Sequence, residues 1–95
     1  MVISIIKFVI NIPEAKSLKD KRKVVKSIKD RLIQKFRLSA AEIENMDSIR
    51  TAVIAAAIVS NSKVHGEKVL HKALTLVEDS FPGYLYETRI FSELF

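Results

Sequence analysis

The first twelve residues are rich in apolar and β-branched side chains, and they predict a strand that ends at Pro13. One alternating set of positions is Val2, Ser4, Ile6, Phe8, Ile10 and Ile12, and the other is Ile3, Ile5, Lys7, Val9 and Asn11. Both sets are mostly apolar, which indicates a strand covered at least in part on both faces. Phe8 is expected to face the helices.

A helix is predicted to begin after Lys16, because Ser17 is a favourable N-cap and Asp20 can complete a capping box. Apolar residues then recur at helical spacing as one stripe. The stripe comprises Val25, Ile28, Leu32 and Phe36, flanked by Leu18 and Val24. The helix should end near Phe36 or Arg37.

The second half of the chain repeats this order of elements. Residues 38–45 predict a weaker strand, and residues 45–48 supply turn chemistry. The apolar run that follows, up to Val59, contains alanines that would also suit a helix. We predict a strand, because Val and Ile flank the alanines and the cap cluster Ser60-Asn61-Ser62 comes directly after. A second helix over about residues 62–80 should bury Gly66, Leu70, Ala73, Leu74, Val77 and Phe81, and residues 84–92 alternate as a fourth strand.

The order βαββαβ over residues 1–95 predicts a single α+β domain, a ferredoxin-like sandwich. Right-handed crossovers place both helices on one face of a four-stranded antiparallel sheet. The first and third strands, which are long and apolar, should lie at its centre. The other sheet face would then expose Ile3, Ile5 and Val9, an apolar patch of the kind that marks an interface. We therefore expect a homodimer formed through these three residues.

Positive charge is concentrated in the first helix. Residues 16–37 hold ten basic and two acidic residues, a balance of +8, which leaves −3 of the net +5 for the rest of the chain. Lys19, Arg22, Lys26 and Lys29 are spaced to lie along one solvent face opposite the apolar stripe, with Lys23 beside them and Arg37 continuing the line. Such a stripe suits the phosphate backbone of RNA. A solvated lysine-rich face and a site for an acidic protein are the alternatives.

Two stretches of the sequence carry a family resemblance. IPEAKSLKDKRKVVKSIKDRL and AIVSNSKVHGEKVL resemble the YlxP-like family of small bacterial proteins, and the resemblance covers essentially the whole chain. It implies a ferredoxin-like fold and supplies no accepted active-site residues. Family members look like gene-level neighbours of translation-initiation and ribosome-maturation factors, which implies a role around ribosomal RNA. Many relatives carry an aromatic residue before the third strand, where this chain has Ile49.

Several kinds of chemistry are disfavoured. The chain has no Cys, which excludes thiolate catalysis and zinc–thiolate sites. His65 and His71 lie roughly 120° apart on a helix and cannot share a metal site without ligands from elsewhere. Ser60-Asn61-Ser62 could hold a phosphate at a helix N-terminus, but these residues are also standard N-caps and no glycine-rich cradle accompanies them, so we prefer the cap interpretation. The first loop, residues 11–14, lacks the glycine-rich phosphate loop of acylphosphatase. We expect no cofactor, no metal and no catalytic activity.

The sequence also limits the binding mode and the location. RRM domains stack RNA bases on aromatic residues of their central strands, whereas the third strand here offers only Thr, Ala, Val and Ile. The apolar N-terminus is interrupted by polar residues and matches neither a signal peptide nor a membrane span. The sequence predicts a cytoplasmic, non-catalytic domain that binds RNA or the ribosome through its first helix. An interaction module for an acidic partner or, third, a small phosphate-handling enzyme remain as alternatives.

Overall fold

The computed structural model describes residues 1–95 and contains the six elements in the predicted order. They are β1 (Val2–Asn11), α1 (Leu18–Phe36), β2 (Ser39–Glu44), β3 (Thr51–Ser60), α2 (Lys63–Ser80) and β4 (Leu85–Leu94). The alanine-containing run is a strand, as predicted. The four strands form one antiparallel sheet in the order β2-β3-β1-β4, with both helices packed on the same face. This is the ferredoxin-like α+β sandwich, so the predicted fold class is confirmed.

Most of the sheet residues in the core belong to the two central strands, β1 and β3. On β1, Ile6, Phe8 and Ile10 are buried towards the helices, and their partners on β3 are Ala56, Ile54 and Ala52. The small alanines let the helices approach the sheet closely, while the larger side chains fill the space between the layers. Burial of both central strands places the core between them and the two helices.

Each helix buries the stripe that its spacing predicts, with exceptions at the rim. Val25, Ile28 and Leu32 of α1 and Leu70, Ala73 and Val77 of α2 are buried. Phe36, Leu74 and Phe81 were expected to be buried as well, but they are only partly so, packing against the edge of the core. Phe36 lies in the last turn of α1, and Phe81 follows the last turn of α2. The layers therefore close less tightly at these helix ends.

Local hydrogen bonds fix the ends of α1. Ser17 Oγ accepts from the backbone N–H of Asp20 at 3.1 Å, which confirms the predicted cap. The Asp20 carboxylate bonds the N–H of Lys16 rather than that of Ser17, so the reciprocal half of the capping box is displaced by one residue. At the other end Arg37 adopts the left-handed conformation (φ 56°), and its N–H bonds the Ile33 carbonyl.

Strict alternation over residues 84–92 puts Leu85 on the same face as Glu87, Arg89 and Phe91, and this prediction is wrong at Leu85. A register shift in the β1–β4 pairing lets Glu87 pair with Val9 while Leu85 pairs with Ile10. Leu85 therefore packs against the helix-side core, whereas Glu87, Arg89 and Phe91 share the opposite face. An extra residue in one strand reverses the facing of everything beyond it, which a strict period of two cannot represent.

A candidate nucleic-acid interface on helix α1

Five of the six basic residues predicted to bind nucleic acid lie along α1, and the sixth, Arg37, caps its C-terminal end. Lys19, Arg22, Lys23, Lys26 and Arg37 are exposed, and Lys29 is partly buried. Lys26 Nζ lies 2.7 Å from Asp30 Oδ2, and none of the other five forms an ion pair. From Lys19 to Lys29 the surface extends about 15 Å along the helix axis.

Three of these cations border a groove between α1 and β2. Arg22, Lys26 and Lys29 line it on the helix side, and its volume is about 380 Å³. Val25, Ile33 and Ala40 provide apolar surface in the groove, and Glu42 adds a carboxylate. The sequence predicted that the basic stripe lies directly opposite the buried stripe. In the structure it is instead rotated towards β2. Arg22 and Lys29 sit one turn on either side of buried Val25, so they emerge beside the sheet.

Not all of the positive charge in residues 16–37 is available to a partner. The Arg31 guanidinium lies over the Phe81 ring at 5.4 Å, and the Lys35 ammonium lies 6.0 Å from the Phe36 ring. Lys21 is fully buried. The local charge balance read from the sequence therefore overstates the charge that α1 presents to solvent.

Lys21 is the charged residue of α1 whose burial the sequence analysis did not predict. Its ammonium lies 2.8 Å from Glu42 Oε2 and donates to the Asn45 carbonyl at 2.6 Å. The signal was present in the spacing, since position 21 falls in phase with Val25, Ile28 and Leu32. A lysine in an apolar stripe indicates a buried charge that needs a partner, but the partner is twenty-one residues away and invisible to periodicity.

A chain of hydroxyls lies beneath the first turns of α2. Ser4 Oγ and Ser92 Oγ are 2.8 Å apart, and Ser92 donates to Glu67 Oε2 at 2.5 Å. Ser4 is 0% exposed, so its hydroxyl cannot reach a substrate. These hydrogen bonds satisfy buried polar groups that would otherwise lack partners. Ser62 Oγ accepts from the His65 N–H at 3.2 Å, which is the N-cap geometry.

Other titratable groups are scattered. His65 and His71 are both exposed, and no group of three His, Asp or Glu side chains is placed to hold a metal ion. The Tyr84 hydroxyl donates to Glu14, and this hydrogen bond, together with burial and the nearby carboxylate charge, raises the pKa of Tyr84. Neither helix is long and apolar enough to cross a membrane.

The sheet face away from the helices, called the open face below, carries the predicted interface residues. Ile3, Ile5 and Val9 are partly exposed on this face. Their neighbours cover part of their area, because the side chains of adjacent strands stand side by side. Val59 and Phe91 flank them and are 64% and 45% exposed. One apolar patch comprises Ile3, Ile5, Val59 and Phe91, and Lys7 separates it from Val9 along β1.

Comparison with known proteins identifies relatives for this chain. A family model described as "Protein of unknown function (DUF503)" matches residues 3–90. A Bacillus subtilis protein described as uncharacterized protein YlxP is 42% identical over 69 residues, which cover 73% of this chain and 74% of that protein.

Solved structures share the fold at low sequence identity. A dimeric ferredoxin-like protein of unknown function from Bacteroides fragilis aligns with a TM-score of 0.56 and 11% identity, covering 99% of this chain and 96% of that one. The de novo designed protein Foldit4 aligns equally well, with a TM-score of 0.56, 9% identity and coverage of 98% and 96%. A fold shared with a designed protein carries no functional information by itself, so function has to be argued from surfaces.

Proposed function

The chain belongs to the DUF503 family of proteins of unknown function, and from its surface we propose that it is a non-catalytic domain that binds RNA, free or in the ribosome, through α1. The observation that carries the proposal is the set of exposed cations on α1 that lack an ion-pair partner. Lys19, Arg22, Lys23 and Arg37 belong to this set. Cations without protein partners are available to phosphates, and each phosphate contact releases condensed counterions.

The groove beside β2 supports single-stranded rather than duplex RNA. Arg22 and Lys29 line it with Ile33, so phosphates and an apolar part of a nucleotide would find suitable neighbours within one site. No aromatic residue lines the groove, and base stacking therefore contributes little. We expect binding through the backbone with weak base preference. Such a partner agrees with the cytoplasmic location expected from the sequence.

The test compares two charge reversals of equal size on different helices. Arg22→Glu/Lys29→Glu changes the α1 groove, and Lys68→Glu/Lys72→Glu makes the same change at exposed positions of α2. The α1 variant should lose affinity for unstructured RNA of any sequence. Its logarithmic salt slope should become shallower by roughly 0.7 per lost contact on a single strand. The α2 variant should keep most of its affinity, and equal losses in both would remove α1 from the site.

An acidic protein is the competing partner for the same surface. Capture from a lysate with and without RNase separates the two, since an RNA-dependent complex disappears after nuclease treatment. Partners that survive RNase but are lost with the Arg22→Glu/Lys29→Glu variant would favour the acidic protein.

We further propose that the chain self-associates through the open face, using Ile3, Ile5 and Val9. The support is the apolar patch that Ile3 and Ile5 form with Val59 and Phe91, because leaving it in water costs roughly 25 cal/mol per Å² of apolar area. Ile5→Glu should shift the protein towards monomer in sedimentation, whereas Val64→Glu, on exposed α2, should not. A wild-type chain that sediments only as monomer at micromolar concentration would contradict this part of the proposal.

A further inference from the structure

The open face carries a depression and a projection at the same level of the sheet. The depression has a volume of about 180 Å³, is floored by alanines and is bounded by Ile5 and Ser39. Phe91 projects from β4, where it pairs with Ile5, and Ile5 pairs in turn with Ala57 beside Ser39. The depression lies along β2 and β3 and the projection on β4, so one chain cannot bring them together.

We infer that two copies stack open face to open face about a twofold axis parallel to β1, each copy's Phe91 entering the other's alanine depression. Rotation about this axis reverses the strand order and preserves each position along the strands. The second copy's β4 therefore lies over β2 of the first, with its Phe91 level with Ser39 and Ala57. The inference rests on the proposed self-association and specifies its geometry, an isologous interface in which both contacts are identical.

A twofold axis lying in the interface but perpendicular to the strands gives a poorer match. With the axis at the level of Lys7, the middle of the face, that rotation reverses position along the strands, so Phe91 would lie near the second copy's Glu87 and Ile3 near its Asn11. Burying a carboxylate or an amide against apolar side chains without partners is costly. The parallel axis instead places the row that contains Ile5 and Phe91 on the same row of the second copy.

The charges of the open face support the same axis. Arg89 lies directly opposite Lys7 on the neighbouring strand, a like-charge pair, and Arg89 has no ion-pair partner within the chain. On the same face, Lys7 Nζ lies 3.3 Å from Oε2 of Glu44, which belongs to the edge strand β2. The parallel axis brings the second copy's Arg89 and Glu87 beside this pair. Each such corner then holds two cations and two carboxylates, and Arg89 gains a partner.

The area of the face is sufficient for a stable dimer. The four strands are about 4.8 Å apart and average nine residues each, at about 3.3 Å per residue, which gives a flat area of roughly 570 Å². The accessible area of a corrugated face exceeds its flat area, and stable interfaces bury about 600–1,000 Å² per partner. Both α1 helices lie on the outside of such a dimer, so the proposed RNA surface stays free.

The chain contains no cysteine, so engineered cysteine pairs and a thiol-reactive crosslinker can test the axis directly. In Phe91→Cys/Ser39→Cys the two positions in one chain lie on opposite edge strands, about 14 Å apart, whereas the parallel axis stacks them between copies at the roughly 10 Å spacing of facing sheets. The spacing between copies exceeds the roughly 7 Å limit for a disulfide, so a thiol-reactive crosslinker about 10 Å long is used, and it should give a covalent dimer. The matched pair Phe91→Cys/Glu87→Cys reports the perpendicular axis and should stay uncrosslinked.

The outcomes separate the geometry from the self-association that it assumes. Phe91→Ser should weaken the wild-type dimer at least tenfold in sedimentation, while Val64→Ser, which truncates a more exposed apolar residue on α2, should have little effect. A wild-type monomer would overturn the self-association and this inference with it. A wild-type dimer in which the Glu87 pair crosslinks, or in which neither pair does, would overturn only the axis.

Discussion

The Lys21 ammonium lies 2.8 Å from Glu42 Oε2, and this pair joins α1 to β2 below the basic surface. The lysine is 0% exposed and also donates to the Asn45 carbonyl, which holds the β2–β3 turn against the start of the helix. Glu42 Oε2 is buried, and the lysine is its only polar partner. The pair therefore fixes the groove-lining strand relative to the groove-lining helix.

Lys21→Met should destabilise the fold strongly, because it leaves the Glu42 carboxylate without its cation. Removing one partner of a buried pair typically costs about 3–5 kcal/mol, and the lower end applies here because Glu42 keeps some contact with water. Urea unfolding measures the change. Lys19→Met, on the exposed side of the same helix turn, is the control. If both variants lose the same stability, the buried pair contributes nothing particular.

Lys21→Met/Glu42→Met should recover much of that loss. Two apolar side chains can replace a buried ion pair at little cost when the volume is similar. The double variant would then show whether the ion pair stabilises the fold more than two apolar side chains do, or whether each charge is needed only because the other is buried. A double variant less stable than Lys21→Met would contradict this account.

Gly66→Ala should destabilise the protein even though alanine favours helices. A Cβ at this position would lie 2.2 Å from Ser4 Oγ and 2.9 Å from Ser4 Cβ, inside a packed layer. Overpacking of this kind costs about 1–3 kcal/mol, against about 1 kcal/mol of helix propensity gained. Thermal unfolding measures the balance. Ser4→Ala/Gly66→Ala should recover part of the loss, since the nearest atom is removed, and a Gly66→Ala variant more stable than wild type would disprove the close approach.

Arg37→Gly should stabilise the fold and weaken RNA binding at the same time. Arg37 occupies the left-handed region, which costs a residue with a side chain about 1–2 kcal/mol and costs glycine almost nothing. Some of this is offset by the entropy of glycine in the unfolded chain, so we expect a gain of about 0.5–1 kcal/mol. Arg37→Ala removes the same charge and keeps the strain. The two variants should therefore match in RNA affinity and differ in unfolding midpoint.

Tyr84 should ionise at higher pH than an ordinary tyrosine. Its hydrogen bond to Glu14 favours the protonated form, so the folded-state pKa lies above the unfolded value of about 10. The stabilisation is fully present below pH of about 10 and is lost as pH rises through the folded-state value. The chain has two tyrosines, so Tyr86→Phe isolates the tyrosinate absorbance of Tyr84, and Tyr84→Phe isolates that of Tyr86. Coincident titration curves would contradict the shift.

Local patterns were enough to predict the elements and their order. The period-two alternation of β1, the helical spacing of Val25, Ile28 and Leu32, and the cap at Ser17 each depend on residues close together in the chain. Element order and crossover handedness then limit the topology to very few sheets. The ferredoxin-like fold was therefore predictable from the sequence.

The candidate sites were predictable only as lists of residues. The sequence placed Arg22 and Lys29 on a basic helix, but the groove they line exists because β2 packs beside that helix. The level of Phe91 relative to the alanine depression depends on pairing registers across all four strands. Neither relation leaves a signal in local spacing.

By itself, the sequence determined the elements, their order, the core-facing stripes and the sign of the charge on α1. The tertiary structure decided the partner of Lys21, the facing of Leu85 and the direction in which the basic stripe points. Periodicity arises from backbone geometry within a few residues, and it is therefore written in the sequence. Ion-pair partners, bulges and grooves arise where distant segments meet, and their positions follow from packing the whole chain at once.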